Sequence, residues 1–445
     1  MKAETTYIKD DRAVKLTYLI MGWGSFAYGQ RAKGVLFFAA EAAYIIYMLT
    51  AGIPALKGFI TLGTREQGWV YDPQLGINVQ QSGDNSMLLL LYGVVAIIIT
   101  VLTVLLYLSS LRSAREAQRM TAEGRRLPSF AEELRSMLDS RLHITLLILP
   151  VAGVLIFTVL PLIYMILIAF TNYDSNHQPP GKLFDWVGFQ NFSAMLLQRS
   201  TLSRSFFPIL LWTMIWAVLA TASNYIVGIA LAVLINRKGI RFKAFWRTIL
   251  ILTIAVPQFI SLLIMRNMLS NYGAINELLL SLGWISKRIE FLSNPLLAKV
   301  SVLLVNMWIG IPYTMLISTG ILMNIPEEQY EAARVDGASP LMIFRKITMP
   351  QILFVTTPYL ITQFIGNINN FNVIYLLTDG GPQNSSYYFA GSTDLLVTWL
   401  YKLTANHRDY SIASTIGILV FLLSAVFSLL SYSRSKAFRE EEGYQ

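Results

Sequence analysis

Uncharged polar side chains lie at helical spacing in two otherwise apolar segments of the chain. In residues 300–324, Asn306, Gly310 and Tyr313 fall at i, i+4 and i+7, and Ile309 shares their face. This face offers an amide, a glycine that allows close approach and an aromatic ring. Amides bind by donating and accepting hydrogen bonds, so the pattern indicates non-covalent binding rather than catalysis.

A second polar face lies in residues 349–377. Gln363, Asn367 and Asn370 fall at i, i+4 and i+7, and Thr356 continues the same stripe seven residues earlier. An amide without a partner is costly in hydrocarbon, so these groups face either neighbouring helices or a water-filled cavity. Hydrogen bonding between helices is a common use of membrane Asn and Gln. Two facing stripes favour the cavity, and uncharged amides with an aromatic ring suit a neutral polyhydroxylated ligand.

The composition places these segments in a membrane. Of 445 residues, 54% are hydrophobic and 14% are charged, whereas a soluble domain has about a quarter charged residues. The chain has no cysteine, which excludes disulfides and thiolate metal sites. Its histidines, His143, His177 and His407, are far apart in sequence, so we expect no metal site.

Apolar segments of about 20 residues are long enough to span a bilayer as helices. The sequence predicts an all-α integral membrane protein with about eight such spans. They cover approximately residues 34–53, 87–111, 143–170, 207–235, 245–269, 300–324, 349–377 and 410–433.

Lysines and arginines fall mostly in the terminal segments and in the loops after each even-numbered span. By the positive-inside rule, we expect both termini and the loop near residue 335 to be cytoplasmic. The net charge of +9 then reflects orientation and attraction to anionic membrane lipid, and we expect no nucleic-acid binding. The terminal cations in this argument include Lys2, Lys9, Arg434, Lys436 and Arg439.

Three connecting segments have distinct patterns. Residues 16–30 are apolar but too short to span, which favours an interfacial or re-entrant element over a ninth span. Residues 112–141 alternate Arg with Glu and Ala, as expected for a solvated helix. The segment 171–206 is too small for a separate core and predicts a cap on the outer pore mouth.

The first span starts near residue 34 without a cleavage pattern, unlike a signal peptide.

Residues 326–336 read as a short polar helix between two spans. Pro326 suits the first helical position, and Gly337 suits the left-handed residue that ends a helix. Ser339 and Pro340 then suit the N-cap and first residue of a second helix. The sequence therefore predicts two helices joined at a glycine, either as a lever that a partner moves or as an ordinary amphipathic connector with solvated charges.

Several chemistries are disfavoured by what the apolar segments contain. Charges within them are scarce, Glu41 being the clear exception and Arg266 lying near a helix end. Proton-coupled carriers usually need buried carboxylates or histidines, so this scarcity counts against them. The sequence lacks the G-x-x-x-x-G-K-[S/T] pattern, so the chain should not hold ATP phosphates itself.

The loop around residue 335 resembles the cytoplasmic loop of ABC-importer permeases. It matches the spacing Glu-Ala-Ala, three residues, Gly, nine residues, Ile-x-Leu-Pro, except that Met349 replaces the Leu. The resemblance implies that residues 325–350, the coupling loop, contact a separate ATPase subunit. The residues it assigns to this contact are Glu331, Ala332, Ala333, Asp336 and Gly337.

Longer stretches resemble the larger permease subunit of maltose/maltodextrin importers. The matching stretches are residues 169–173, 306–313, 325–333, 367–382 and 391–397. The resemblance implies a sugar site, with Gln363 and Gly366 standing where the best-known member has Ser and Phe. The implied sugar contacts are Asn306, Ile309, Gly310, Tyr313, Gln363, Gly366, Asn367 and Asn370.

The family's fold and partners follow as further implications. The resemblance implies a type I permease core of six helices within residues 143–445, preceded by residues 1–142 with two spans and a linker. It implies a bacterial cytoplasmic-membrane assembly with a homologous second permease, two ATPase subunits and an external sugar-binding protein. The chain would need no cofactor, because the partner ATPases bind ATP, and would have no catalytic residue.

Three alternatives remain at this point. The same architecture could carry another oligosaccharide, of the galacto-oligosaccharide or alginate type, although acidic sugars would favour cations that the stripes lack. An ion-coupled sugar carrier would use an ion gradient instead of ATP. A membrane enzyme acting on lipid-linked sugar would need acidic residues at the membrane face, where this chain has few.

Overall fold

The computed structural model describes residues 10–237 and 239–433. The predicted terminal cations at positions 2, 9, 434, 436 and 439 lie outside these residues. The chain divides into two compact units that meet between Gly188 and Phe189, and each is described by itself. The predicted functional boundary between residues 142 and 143 remains a prediction.

The first unit is helical apart from one hairpin. Strands β1 (Gly68–Asp72) and β2 (Ile77–Gln81) pair antiparallel, and Gly76 (φ +64°) lies in the turn between them. The all-α prediction did not include this hairpin. The helices are α1 Arg12–Thr17, α2 Trp23–Ala27, α3 Arg31–Tyr47, α4 Ile53–Thr61, α5 Ser86–Ala122, α6 Phe130–Leu138, α7 Leu142–Val154 and α8 Leu160–Ile168.

Residues 16–30 do not form a ninth span. Helix α1 ends at Thr17, and α2 begins only after Gly22, whose φ of +81° breaks the helical path. The Gly22 N–H donates to Ser110 Oγ (2.8 Å), and the Met21 N–H donates to Glu41 Oε2 (2.8 Å). The carboxylate of Glu41, the clearest intramembrane charge, therefore holds this short element against α3.

The expected solvated helix over 112–141 is two pieces. Helix α5 runs on to Ala122, and its Ser113 and Ala114 are buried against α2. Helix α6 then starts at a capping box in which Ser129 and Glu132 satisfy each other's backbone N–H groups. One face of residues 112–122 is thus packed rather than solvated, which the charge pattern alone did not indicate.

The second unit contains the remaining helices. They are α9 Gln190–Leu196, α10 Thr201–Asn236, α11 Lys243–Ala255, α12 Gln258–Met268, α13 Ala274–Ser281, α14 Pro295–Asn324, α15 Glu327–Val335, α16 Pro340–Ile343, α17 Met349–Ile368, α18 Phe371–Thr378, α19 Leu396–Ala405 and α20 Tyr410–Ser433. Apolar side chains of α9, α10, α17, α19 and α20 form its largest buried cluster, around Trp399.

Within the described residues, six helices are long and apolar enough to cross a membrane, or up to seven if one bent pair is a single span. The count of eight is therefore not confirmed. The predicted span 245–269 bends by 91° at Pro257, which favours an extended conformation for Val256. The predicted span 349–377 is also broken, because α17 ends at Ile368 and α18 starts at Phe371. Helix α17 is not among the six, because its internal amides make it less apolar.

Helices α10 and α14 cross at unusually short range. A Cβ added to Gly228 of α10 would lie 2.6 Å from Thr314 Cβ of α14, and one added to Gly310 of α14 would lie 2.2 Å from Asn224 Nδ2 of α10. Each glycine therefore receives the side chain of the other helix, as small residues do in membrane helix packing. This crossing positions the polar residues described next.

Candidate functional site

Five polar residues of the second unit form what we call the amide cluster. Helix α10 contributes Thr221 and Asn224, α14 contributes Asn306, α17 contributes Asn367, and Asn370 lies in the break between α17 and α18. The structure thus brings Asn306 of the first predicted stripe close to Asn367 and Asn370 of the second, and α10 packs beside both.

Hydrogen bonds connect most of the amide cluster. Asn367 Nδ2 donates to Thr221 Oγ1 at 3.0 Å. Asn370 Nδ2 lies 3.3 Å from Asn367 Oδ1 and 3.5 Å from Asn306 Oδ1, the second being a long contact. Asn370 Oδ1 accepts from the Val373 N–H (3.3 Å), which makes Asn370 the N-cap of α18. The break in the predicted span is therefore what turns Asn370 toward the other amides.

Two buried atoms in the amide cluster have no partner among the described residues. They are the donor Asn306 Nδ2 and the acceptor Asn224 Oδ1, in side chains of residues that are 5% and 9% exposed. A buried polar group without a partner costs about 1–3 kcal/mol. The cluster therefore has one donor and one acceptor ready for a further hydrogen-bonding group.

The two predicted glycines have different surroundings. Gly310 faces Asn224, so its small size serves the close approach of α10, a role that the cavity argument for this position missed. A Cβ added to Gly366 would meet nothing within 4 Å, and the residue is exposed. Only Gly366 borders open space, and sugar contact at either position remains a prediction.

The other predicted contacts surround the cluster. Ile309 is partly buried and packs on the apolar cluster that includes Trp216 and Val305. Tyr313 is half exposed, and its ring centroid lies 5.8 Å from that of Tyr359. Gln363 is half-buried.

Thr356, predicted to continue the second stripe, has a structural partner instead. It is buried, and its Oγ1 lies 2.6 Å from the hydroxyl of Tyr225 on α10. The polar stripe of α17 available to a ligand therefore ends before Thr356.

Sequence reasoning missed Thr221 and Asn224. They stand three residues apart in the apolar segment 207–235, which is the spacing of one helix face. The same rule that identified the other stripes could have found them. It could not have shown that α10, rather than another helix, faces α14 and α17.

The coupling loop is confirmed as two capped helices. Pro326 is the N-cap of α15 rather than its first residue, and Gly337 after α15 has φ +75°. Ser339 Oγ accepts from the Met342 N–H (3.3 Å) at the start of α16. The predicted contact residues Glu331, Ala332, Asp336 and Gly337 are exposed, and Ala333 is half-buried. Val335 is 87% exposed, an apolar side chain suited to a partner surface.

Side-chain contacts join α15 to the start of α17. The Tyr330 hydroxyl lies 3.2 Å from Thr348 Oγ1, and Gln351 Nε2 donates to Gln329 Oε1 at 2.8 Å. A π-helical turn, Phe344–Thr348, leads directly into α17, which carries Asn367 at its far end. One helix, α17, thus connects the contacts of α15 with the amide cluster.

Acidic residues and histidines do not gather into a possible metal site anywhere in residues 10–237 and 239–433. The amide cluster contains no ionisable group. Its chemistry is therefore hydrogen bonding between neutral groups.

Comparisons with known proteins agree on one family. The model of the binding-protein-dependent transport system inner membrane component matches residues 224–439. The galactooligosaccharides transport system permease protein of Bacillus subtilis (strain 168) is 36% identical over 431 residues, covering 96% of this chain and 98% of its own length. The maltodextrin transport system permease protein of the same strain is 34% identical, covering 99% of this chain and 100% of its own length. These relatives are transport permeases rather than enzymes.

A solved structure agrees on the fold. It is a bacterial ABC transporter involved in the import of the acidic polysaccharide alginate, and one of its chains matches with a TM-score of 0.56. The match covers 68% of this chain and 98% of that chain at 23% identity. The predicted type I permease fold is confirmed, including its assignment to a membrane-spanning helical class.

Proposed function

Because the chain belongs to the permease subunits of binding-protein-dependent ABC importers, we propose that it forms half of a pathway for neutral oligosaccharides of the maltodextrin type. Membership of this family makes it a multi-pass membrane transport subunit and not an enzyme. The cargo, the partners and the orientation are the proposed elements.

One observation carries the cargo class. The amide cluster is uncharged and holds an unpartnered donor, Asn306 Nδ2, and an unpartnered acceptor, Asn224 Oδ1. A sugar hydroxyl can both donate and accept, so sugar hydroxyls have the chemistry to satisfy either atom. An acidic sugar would need a cation for its carboxylate, and the cluster has none. The half-exposed ring of Tyr313 adds a surface on which the C–H face of a sugar can pack.

Energy enters through the coupling loop. ATP binds to two separate ATPase subunits, and this chain requires no cofactor. The exposed surface around Glu331 and Val335 sits in a groove of one ATPase. When the ATPases close, α15 moves, and its contacts through Tyr330 and Gln351 carry the movement into α17. The amide cluster is thereby opened toward the outside and later toward the cytoplasm.

In the proposed assembly, the chain lies in a bacterial cytoplasmic membrane and both of its termini are cytoplasmic. A homologous second permease supplies the other half of the pathway, and an external binding protein delivers the sugar. The distribution of Lys and Arg supports this orientation, and the relatives' membership of binding-protein-dependent systems supports the partners.

A galacto-oligosaccharide is the second candidate cargo. The relative that is 36% identical over nearly the whole of both chains is named for galactooligosaccharides. Both sugars are neutral and polyhydroxylated, so the amide cluster accepts either by the same chemistry. They differ in the linkage geometry that presents successive hydroxyls and ring faces.

A competition experiment separates the two. In cells of the native host lacking this chain and complemented with it, uptake of labelled maltotriose is measured against unlabelled malto- and galacto-oligosaccharides. We expect maltodextrins to compete strongly and galacto-oligosaccharides weakly. Stronger competition by galacto-oligosaccharides would instead assign a galacto-oligosaccharide cargo. If cells lacking this chain still take up both sugars at the normal rate, both cargo assignments are contradicted.

A further inference from the structure

Two cavities lie along α3 in the first unit. The charged one, of about 400 Å³, surrounds the start of α3, and its lining includes the charged side chains of Arg31, Lys33 and Glu133 together with Gln30 and Pro128. The apolar one, of about 220 Å³, lies further along α3 and is lined by Trp23, Phe26, Gly34, Val35 and Phe38. We propose that they form one binding site for an anionic phospholipid of the cytoplasmic leaflet.

The balance of charge in the charged cavity favours an anion. Lys33 Nζ lies 2.7 Å from Glu133 Oε1, so these two charges offset each other. Arg31 is exposed and has no ion pair among the described residues, which leaves one uncompensated cation at this point. The first backbone N–H groups of α3 add partial positive charge at the same point, because the side chain of Gln30 does not cap them. A phosphodiester headgroup matches both the charge and the donors.

The apolar groove runs along α3 in the direction that an acyl chain would take from its headgroup. Arg31, Gly34, Val35 and Phe38 occur at i, i+3, i+4 and i+7, so the cation and the groove share one face of α3. At 1.5 Å per residue, Phe38 lies about 10 Å deeper than Arg31 along the helix axis. This is the order of a headgroup followed by the upper part of an acyl chain.

Short contacts between α2 and α3 build the groove. Gly22 and Gly34 face each other so closely that a Cβ on Gly22 would lie 2.4 Å from Gly34 O. The Met21 N–H donates to Glu41 Oε2, and a Cβ added to Gly34 would lie 2.6 Å from Phe26 Cβ, so α2 is held along α3 at both ends. The groove walls remain open to lipid: Trp23 is 40% exposed and Phe38 is 55% exposed.

The occupant is a lipid rather than a free phosphate because the apolar groove follows the charged cavity along the same face of α3. The choice of an anionic lipid rests on the proposed cytoplasmic placement of the start of α3, where anionic headgroups attract basic side chains. The site itself depends on neither sugar nor ATP.

The test is photolabelling of the assembled transporter in nanodiscs. Phosphatidylglycerol with a diazirine in its acyl chain is added to a phosphatidylcholine background, and labelled peptides are mapped by mass spectrometry. We expect labels in residues 20–38, and weaker labelling there by a phosphatidylcholine with the same acyl chain. Excess soluble glycerophosphoglycerol should leave the labelling unchanged. Competition by this headgroup alone would overturn the assignment to a lipid.

Matched variants test the contribution of Arg31. Arg31→Gln should reduce labelling by phosphatidylglycerol about fivefold, the usual worth of one basic residue near an anionic surface, and Arg31→Lys should retain most of it. Arg112→Gln removes an exposed cation of α5 outside both cavities and should change nothing. An equal loss in Arg31→Gln and Arg112→Gln, or none in Arg31→Gln, would overturn the site.

A second variant addresses the groove. Val35→Trp fills it and should reduce labelling of residues 20–38 by both lipids, while the exposed position tolerates the larger side chain. Unchanged labelling would place the acyl chain elsewhere and contradict the proposal. If residues 20–38 are still labelled in a transporter that does not take up sugar, only the proposed function is contradicted. If sugar is taken up but these residues are not labelled, only the lipid site is contradicted.

Discussion

The coupling loop and the amide cluster lie at the two ends of α17 and differ in how their polar groups are satisfied. In the loop, Ser339 caps α16, Gly337 supplies the left-handed residue after α15, and the carboxylates of Glu331 and Asp336 are exposed. In the cluster, Asn306 Nδ2 and Asn224 Oδ1 are buried without partners. The loop is complete in this chain alone, whereas the cluster is complete only with a further hydrogen-bonding group.

This difference assigns the two regions different roles. A satisfied, capped loop has one stable shape and can transmit force. An unsatisfied buried cluster has a free energy that depends on its occupant, since a ligand hydroxyl removes a cost of about 1–3 kcal/mol for each orphaned group. Movement of α17 therefore changes how well the cluster can be satisfied.

The largest effect is expected from variants that disrupt the coupling loop. Gly337 has φ +75°, and proline fixes φ near −65°, so Gly337→Pro should abolish sugar-stimulated ATPase activity in the reconstituted transporter. Gly124→Pro is the matched control, because Gly124 (φ +65°) also follows a helix and also has nothing within 4 Å of an added Cβ. Glu331→Lys should uncouple similarly. Normal stimulation in both loop variants would remove the loop from the energy path.

The next-largest effects distinguish a glycine that packs against a neighbouring helix from a glycine that borders open space. Gly310→Leu would drive a side chain into Asn224 and part α10 from α14, so sugar uptake should fall more than tenfold. Gly366→Phe enters open space and should penalise longer oligosaccharides more than disaccharides. Uptake competition over a ladder of chain lengths measures both. An unchanged length profile in Gly366→Phe would remove this residue from the cavity wall.

Smaller effects are expected from single amides. A hydrogen bond between neutral groups contributes about 0.5–1.5 kcal/mol, so Asn306→Ala or Asn370→Ala should weaken sugar uptake affinity by up to about tenfold. Asn369→Ala is the neighbouring control, since this exposed amide bonds only the Ile365 carbonyl (3.2 Å). Equal behaviour of all three variants would make the amide cluster a purely structural feature.

The smallest effect concerns the cap of α16. Ser339→Ala removes one N-cap hydrogen bond, which costs about 1 kcal/mol of local stability. The loop should loosen without collapsing, so sugar-stimulated ATPase activity should fall by a few-fold while uptake affinity stays unchanged. A change in affinity without a change in stimulation would show that the loop also shapes the sugar site.

The contrast also explains what sequence could predict. Gly337 and Ser339 were identified correctly because capping depends on residues a few positions apart. Asn370 was expected on a continuous helix, and the break after Ile368 was missed because an N-cap within an apolar segment has no strong local signal. Asn224 and its contact with Gly310 depend on which helices are neighbours, and neither periodicity nor composition contains that information.

If ATP hydrolysis on partner subunits moves sugar past the amide cluster, transport must depend on ATP and not on ion gradients. Labelled maltotriose uptake is measured in cells depleted of ATP while proton and sodium gradients are clamped, and again with ATP restored after the gradients are collapsed. We expect uptake only when ATP is present, and we expect Gly337→Pro to abolish this uptake. Uptake that persists on ion gradients without ATP would contradict this mechanism and indicate an ion-coupled carrier.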